Sequence, residues 1–112
     1  MNNYPIKIGG KKYKLSLTDH KTDEIFKDNE EANGYIKYDL SEINIRSSNS
    51  SDVIKESIIH ELLHALLDDS GVDDLNTEKL VKILTPRLNA LLEDNPEFIM
   101  KFIKNDFTFD HI

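Results

Sequence analysis

The chain has 112 residues, a net charge of −7 from 21 acidic and 14 basic residues, and no cysteine. One domain over residues 1–112 is expected at this length, and disulfides and thiolate-held zinc are excluded, so any metal must rest on histidine and carboxylate. The acidic balance argues against a nucleic-acid partner, which needs concentrated basic surface.

Met1 to Pro5 lacks the charged head and apolar stretch of a secretory signal, so a cytoplasmic protein is expected. Ile6-Lys7-Ile8 and Tyr13-Lys14-Leu15-Ser16-Leu17 alternate apolar and polar residues around Gly9-Gly10, which predicts a β-hairpin. Lys11, Lys12 and Lys14 read as solvated strand lysines. From Asp19 to Ala32 the chain is polar, with Ile25 and Phe26 as its large apolar anchors, and a short helix or irregular connection fits. Asn33-Gly34 marks a turn. Tyr35-Ile36-Lys37-Tyr38 and Ile43-Asn44-Ile45-Arg46 read as two more strands, and either is a candidate edge for an added peptide strand.

The polar loop Ser47 to Asp52 ends in N-capping residues, with Glu56 close behind. A helix is predicted from about Asp52 to Ser70, ended by Gly71. Ile54, Ile58, Leu62, Ala65 and Leu66 form one apolar stripe on it, and Ile59, Leu63 and Leu67 a second. Such a helix should be buried around most of its circumference, leaving a polar wedge of Ser57, His60, Glu61, His64 and Asp68. A second helix begins near Asn76-Thr77, with Leu80, Ile83, Leu84, Leu88, Leu91 and Leu92 on its apolar side. Pro86 should kink or split it. Asn95-Pro96 opens a last short helix carrying Phe98, Ile99, Phe102 and Ile103. Phe107 and Phe109 suggest a short strand or packed tail. The Leu/Ile/Phe-rich C-terminal helices either cover the core or pair with a second chain. The most apolar run, Ile58 to Leu67, is broken by His60, Glu61 and His64 and is too short to span a bilayer, so no membrane partner is expected.

The break in that run carries chemistry. His60-Glu61-Leu62-Leu63-His64 is an H-E-x-x-H pentapeptide. Histidines four apart stack on one helix face and can share a metal ion, while Glu61, about 100° round, can take a proton from metal-bound water. By chance the pattern recurs in roughly one sequence of this length in a hundred. Here it falls on the polar wedge of an apolar helix, where two imidazoles and a carboxylate cost stability unless paired. Hydrolytic zinc takes three protein ligands and keeps one position open. Glu78 is the first choice for the third ligand, because its helix can fold back antiparallel beside the first. Asp73 and Asp74 are alternatives, and His20 and His111 lie further from the pattern. Asp68, one turn after His64, is a candidate to orient an imidazole. Tyr35 and Tyr38 are oxyanion-donor candidates by residue type alone.

With these residues in view, the chain resembles the minimal zincins, and most of all the small zincin-like metallopeptidases of phages and mobile elements, similar to the ImmA/IrrE-type family. The resemblance covers about Tyr35 to Pro96 and rests chiefly on the pentapeptide, with Thr77-Glu78-Lys79-Leu80-Val81 in support. It implies an α+β fold: a small twisted sheet packed on the active-site helix, with two or three further helices. It further implies a zinc (Zn2+) peptidase acting on a protein or peptide substrate, with His60, His64 and Glu78 as ligands and Glu61 as catalytic base. A zinc-stabilised binding module without turnover is the alternative. The family's third ligand usually lies further downstream, in an alanine-rich helix, which this chain does not have.

Overall fold

The computed structural model describes residues 3–19 and 23–108. His20, His111 and Phe109 lie outside the described residues. The chain folds as α+β, with a four-stranded sheet and four helices.

Strands β1 (Asn3–Ile8) and β2 (Lys11–Thr18) form the hairpin that the alternation predicts. Gly9 and Gly10 both take positive φ, which glycine adopts without the Cβ penalty. Gly9 also lies against Asp69, whose carboxylate occupies the space a Cβ would need. A short helix α1 (Glu24–Asp28) follows, capped by Asp23, whose side chain accepts from the Phe26 amide. Strands β3 (Gly34–Lys37) and β4 (Glu42–Arg46) then complete the sheet in the order β1-β2-β4-β3. β2 and β4 run parallel, and the outer pairs are antiparallel. β4 is therefore interior and cannot be a docking edge, while β3 is an edge.

Helix α2 (Ser51–Asp69) is capped at its start by Ser50. Past its end, Gly71 takes positive φ, as a helix-terminating glycine does. Ala65 and the stripe of Ile54, Ile58 and Leu62 pack on Ile8, Tyr13, Leu15, Ile43 and Ile45 of the sheet. The helix is less enclosed than its composition suggests: Leu66 is half exposed, whereas Ser57 and Glu61 are buried. Within the polar wedge His60 and His64 are partly buried and Asp68 is exposed.

A 3-10 turn at Asp73–Leu75 leads to helix α3 (Glu78–Asp94), capped by Thr77. Of the kink or split expected at Pro86, the split does not occur: one helix runs through it. α3 returns beside α2, and Lys55 near the start of α2 pairs with Glu93 near the end of α3 at 2.6 Å. Helix α4 (Pro96–Ile103) follows directly on α3 and has no buried residue, so it does not cover the core. Among the described residues after it, 104–108, there is no strand.

On the opposite sheet face Phe26 is fully buried, its ring edge against Tyr35 at 5.1 Å. The Arg46 guanidinium lies over that ring and donates to the carbonyls of Ala32, Asn29 and Phe26. Arg46 thereby fixes the connection that precedes β3. No helix among the described residues is long and apolar enough to cross a membrane.

Candidate metal centre

His60 and His64 project from the middle of α2, one turn apart, with ring centroids 5.0 Å from each other. The antiparallel return of α3 brings Glu78, in its first turn, against both rings. Oε1 of Glu78 lies 3.1 Å from His60 Nε2 and 2.5 Å from His64 Nε2. One donor atom from each residue falls within 4.8 Å of the others, and no fourth His, Cys, Asp or Glu joins this group among the described residues. Around a tetrahedral zinc with bonds near 2.0–2.1 Å, ligand atoms sit about 3.3 Å apart. The two histidines and the glutamate thus match the ion in donor type and number.

The hydrogen bonding of His64 strengthens the fit. Its Nδ1 faces Oδ1 of Asn76 at 2.6 Å. An amide oxygen only accepts, so Nδ1 carries the proton. A neutral ring then presents a lone pair at Nε2, aimed at a carboxylate oxygen that also only accepts. That contact is satisfied by a charged imidazolium or by a cation between the two atoms. Asn76 is in turn held by its Nδ2, which donates to the Tyr38 hydroxyl at 3.4 Å. The carboxyl of Glu78 is lifted by partial burial, but its close contacts with His64 and His60 outweigh this and hold it below its ordinary range.

Glu61 is 8% exposed, and its carboxylate makes no hydrogen bond to the described residues. Burial raises its pKa, the two imidazoles oppose the rise, and Glu78 adds to it. It lines a cleft of about 650 Å³ together with His60 and Glu78; Gly34 and the residues before it form one wall, and Lys82, Thr85 and Pro86 of α3 another. A Cβ on Gly34 would come 3.2 Å from Cγ of Glu61 and 2.9 Å from Cδ1 of Ile45. The glycine thus allows edge strand β3 to pass directly beside the buried acid.

Of the residues singled out from sequence, His60, Glu61, His64 and Glu78 come together. Asp73 and Asp74 sit in the 3-10 turn and are not part of the ligand group. The orienting role considered for Asp68 is filled by Asn76, which sequence reasoning missed; an asparagine just before a helix reads as a cap or loop residue, with no period to mark it. Neither tyrosine lines the cleft. The Tyr35 hydroxyl donates to Asp23 at 2.6 Å, and Tyr38 serves Asn76. Comparison with known proteins finds no matching family model, no matching characterised protein and no matching solved structure.

Proposed function

We propose that this chain is a zinc-dependent peptidase of the minimal zincin type, cleaving a peptide bond in an extended segment of a protein or peptide substrate. The observation that carries this reading is the convergence of two Nε2 atoms on one carboxylate oxygen, with Nδ1 of His64 already committed to Asn76. His60, His64 and Glu78 would hold the ion. Zinc in such a site lowers the pKa of its water towards ~7 and polarises a carbonyl.

Glu61 acts as general base. Its burial raises its proton affinity, which suits it to accept a proton from the attacking water and return it to the departing amine. β3 supplies the docking line. It is an edge beside the cleft, and a guest strand laid along it would bring its backbone past Glu61. The resemblance to ImmA/IrrE-type peptidases belongs to this proposal, with the third ligand placed close after the second histidine rather than far downstream.

A zinc-stabilised binding module is the competing reading. Glu61 favours the peptidase: a purely structural site has no use for a buried carboxylate with no hydrogen-bond partner among the described residues, an arrangement that costs stability. The test combines metal analysis with hydrolysis of a peptide library. One zinc per chain with cleavage that Glu61→Gln removes supports the peptidase. One zinc with no cleavage of any library member supports the binding module, and no zinc after purification without chelator rejects both.

A further inference from the structure

Peptide hydrolysis places a negative charge in the cleft, and most of the side-chain charge already there has the same sign. When water adds to a scissile carbonyl, its oxygen bonds to the carbonyl carbon, its proton passes to Glu61, and the π pair moves onto the carbonyl oxygen. On collapse the pair returns, the C–N bond breaks, and the proton goes from Glu61 to the amine. The charge held in between is opposed by Glu31, Glu56 and Glu78, which line the same cleft. Such an oxyanion calls for a hydrogen-bond donor aimed at it.

The uncharged side-chain donors of the cleft are already engaged. The hydroxyl of Ser57 donates to the Val53 carbonyl and that of Thr85 to the Val81 carbonyl, each at 2.7 Å. The Asn33 side chain is held by Asn49 at 2.9 Å. Lys82 is different. It is the one Lys or Arg among the residues that line the cleft. It follows Glu78 by four residues on α3, so it stands one turn, about 6 Å, further along the same helix face. Glutamate before lysine at this spacing is the favourable order for an ion pair. None forms here, because Glu78 is turned to the two imidazoles. The Lys82 ammonium has no ion pair or hydrogen bond among the described residues, which leaves its three donors uncommitted.

We propose, resting on the peptidase reading above, that Lys82 is a catalytic residue whose ammonium donates to the substrate's carbonyl oxygen as the tetrahedral intermediate forms. Its flexible four-carbon stem lets the charge follow that oxygen.

Kinetics of the zinc-loaded full chain, with calorimetry of inorganic phosphate as a tetrahedral anion, test this. Lys82 is exposed, so Lys82→Met leaves the core untouched. The variant should lose roughly 10²-fold in kcat with little change in KM, while zinc stoichiometry and circular dichroism stay as in the wild type. Phosphate should bind the zinc-loaded variant about tenfold more weakly. Lys82→Arg, which keeps the charge and donors, should recover part of both losses. A Lys82→Met chain with the wild-type kcat or the wild-type phosphate affinity overturns the role and leaves the peptidase reading standing, and so does a loss confined to KM. A wild-type chain that binds no zinc or cleaves no peptide removes that reading and the role of Lys82 together.

Discussion

His64 and Asn76 are joined by a 2.6 Å contact between Nδ1 and Oδ1, which leaves the ring's other nitrogen directed at Glu78. The asparagine fixes both the tautomer and the rotation of a prospective ligand, at the point where the chain turns from α2 into α3. Removing such a partner typically costs 10–100-fold in metal affinity. Asn76→Ala should therefore bind zinc about 10–100-fold more weakly, by chelator competition, with one equivalent still bound at saturation. Asn76→Asp, which keeps an acceptor oxygen, should restore most of the loss. Equal affinities in all three proteins would show that the contact orients nothing.

Metal should also hold the helices together. His60 and His64 belong to α2 and Glu78 to α3, so an ion bound to all three links the native arrangement and has no comparable site in the unfolded chain. At a thousandfold excess over its dissociation constant a ligand stabilises by about 4 kcal/mol. Thermal unfolding should therefore fall by many degrees on adding chelator, and Glu78→Gln should abolish the difference. A chelator-insensitive melting curve in the wild type would refute a tight site.

Catalysis should depend on Glu61 apart from binding. Glu61→Gln preserves shape but cannot accept a proton, so the rate should fall roughly 10²–10⁴-fold while zinc stoichiometry holds. A variant that cleaves at the wild-type rate would remove the glutamate from the chemistry.

Arg46 has a structural task. It is 6% exposed and donates to three carbonyls, that of Phe26 in α1 and those of Asn29 and Ala32 in the segment joining α1 to β3. Arg46→Ala leaves acceptors without partners and should cost about 2–3 kcal/mol, or about 10 °C in Tm for a domain of this size. Lysine lacks the planar fork and should recover only part of this. A melting temperature unchanged in Arg46→Ala would contradict the role.

Acid should loosen the same region. Burial works to raise the pKa of Asp23, but bonds from the Tyr35 hydroxyl and from the backbone amides of Phe26 and Ile25 outweigh it and leave the carboxyl below its ordinary value. A depressed folded-state pKa means that the stabilisation is complete above the unfolded value, near ~3.9. It is lost as pH falls through the lower folded value. Stability measured by denaturant titration between about pH 5 and pH 2 should fall less steeply in Asp23→Asn than in the wild type. Parallel curves would dismiss the carboxylate.

The sequence discloses those parts of the protein that have a period or a punctuating residue. The Gly9-Gly10 hairpin, the strand after Gly34, the α2 and α3 boundaries and the Asn95-Pro96 start are read from local chemistry, and the structure has them within a residue or two. The histidine pair is visible because four residues separate its members on one helix. Glu78 is reached only by assuming an antiparallel return. What stays hidden depends on the tertiary arrangement. Strand order decides that β4 is interior and β3 an edge. Asn76 matters only because His64 faces it. Leu66 belongs to an apolar stripe, yet no element covers it, so composition overstates the burial of α2. Pro86 looks like a break, but the helix accommodates it at the cleft wall.

The two borders of the sheet are chemically unequal. β1, the outer strand on one side, contains Pro5 and Lys7, and a proline has no amide hydrogen to offer a neighbour. β3, on the other side, reads Gly-Tyr-Ile-Lys and contains no proline. A visiting chain thus meets one permissive seam only four residues long and one discouraging seam. If β3 accepts a guest strand as proposed, the molecule would hold a short stretch of unravelled polypeptide without becoming the seed of a ribbon, because an added strand at one margin finds no matching welcome at the other.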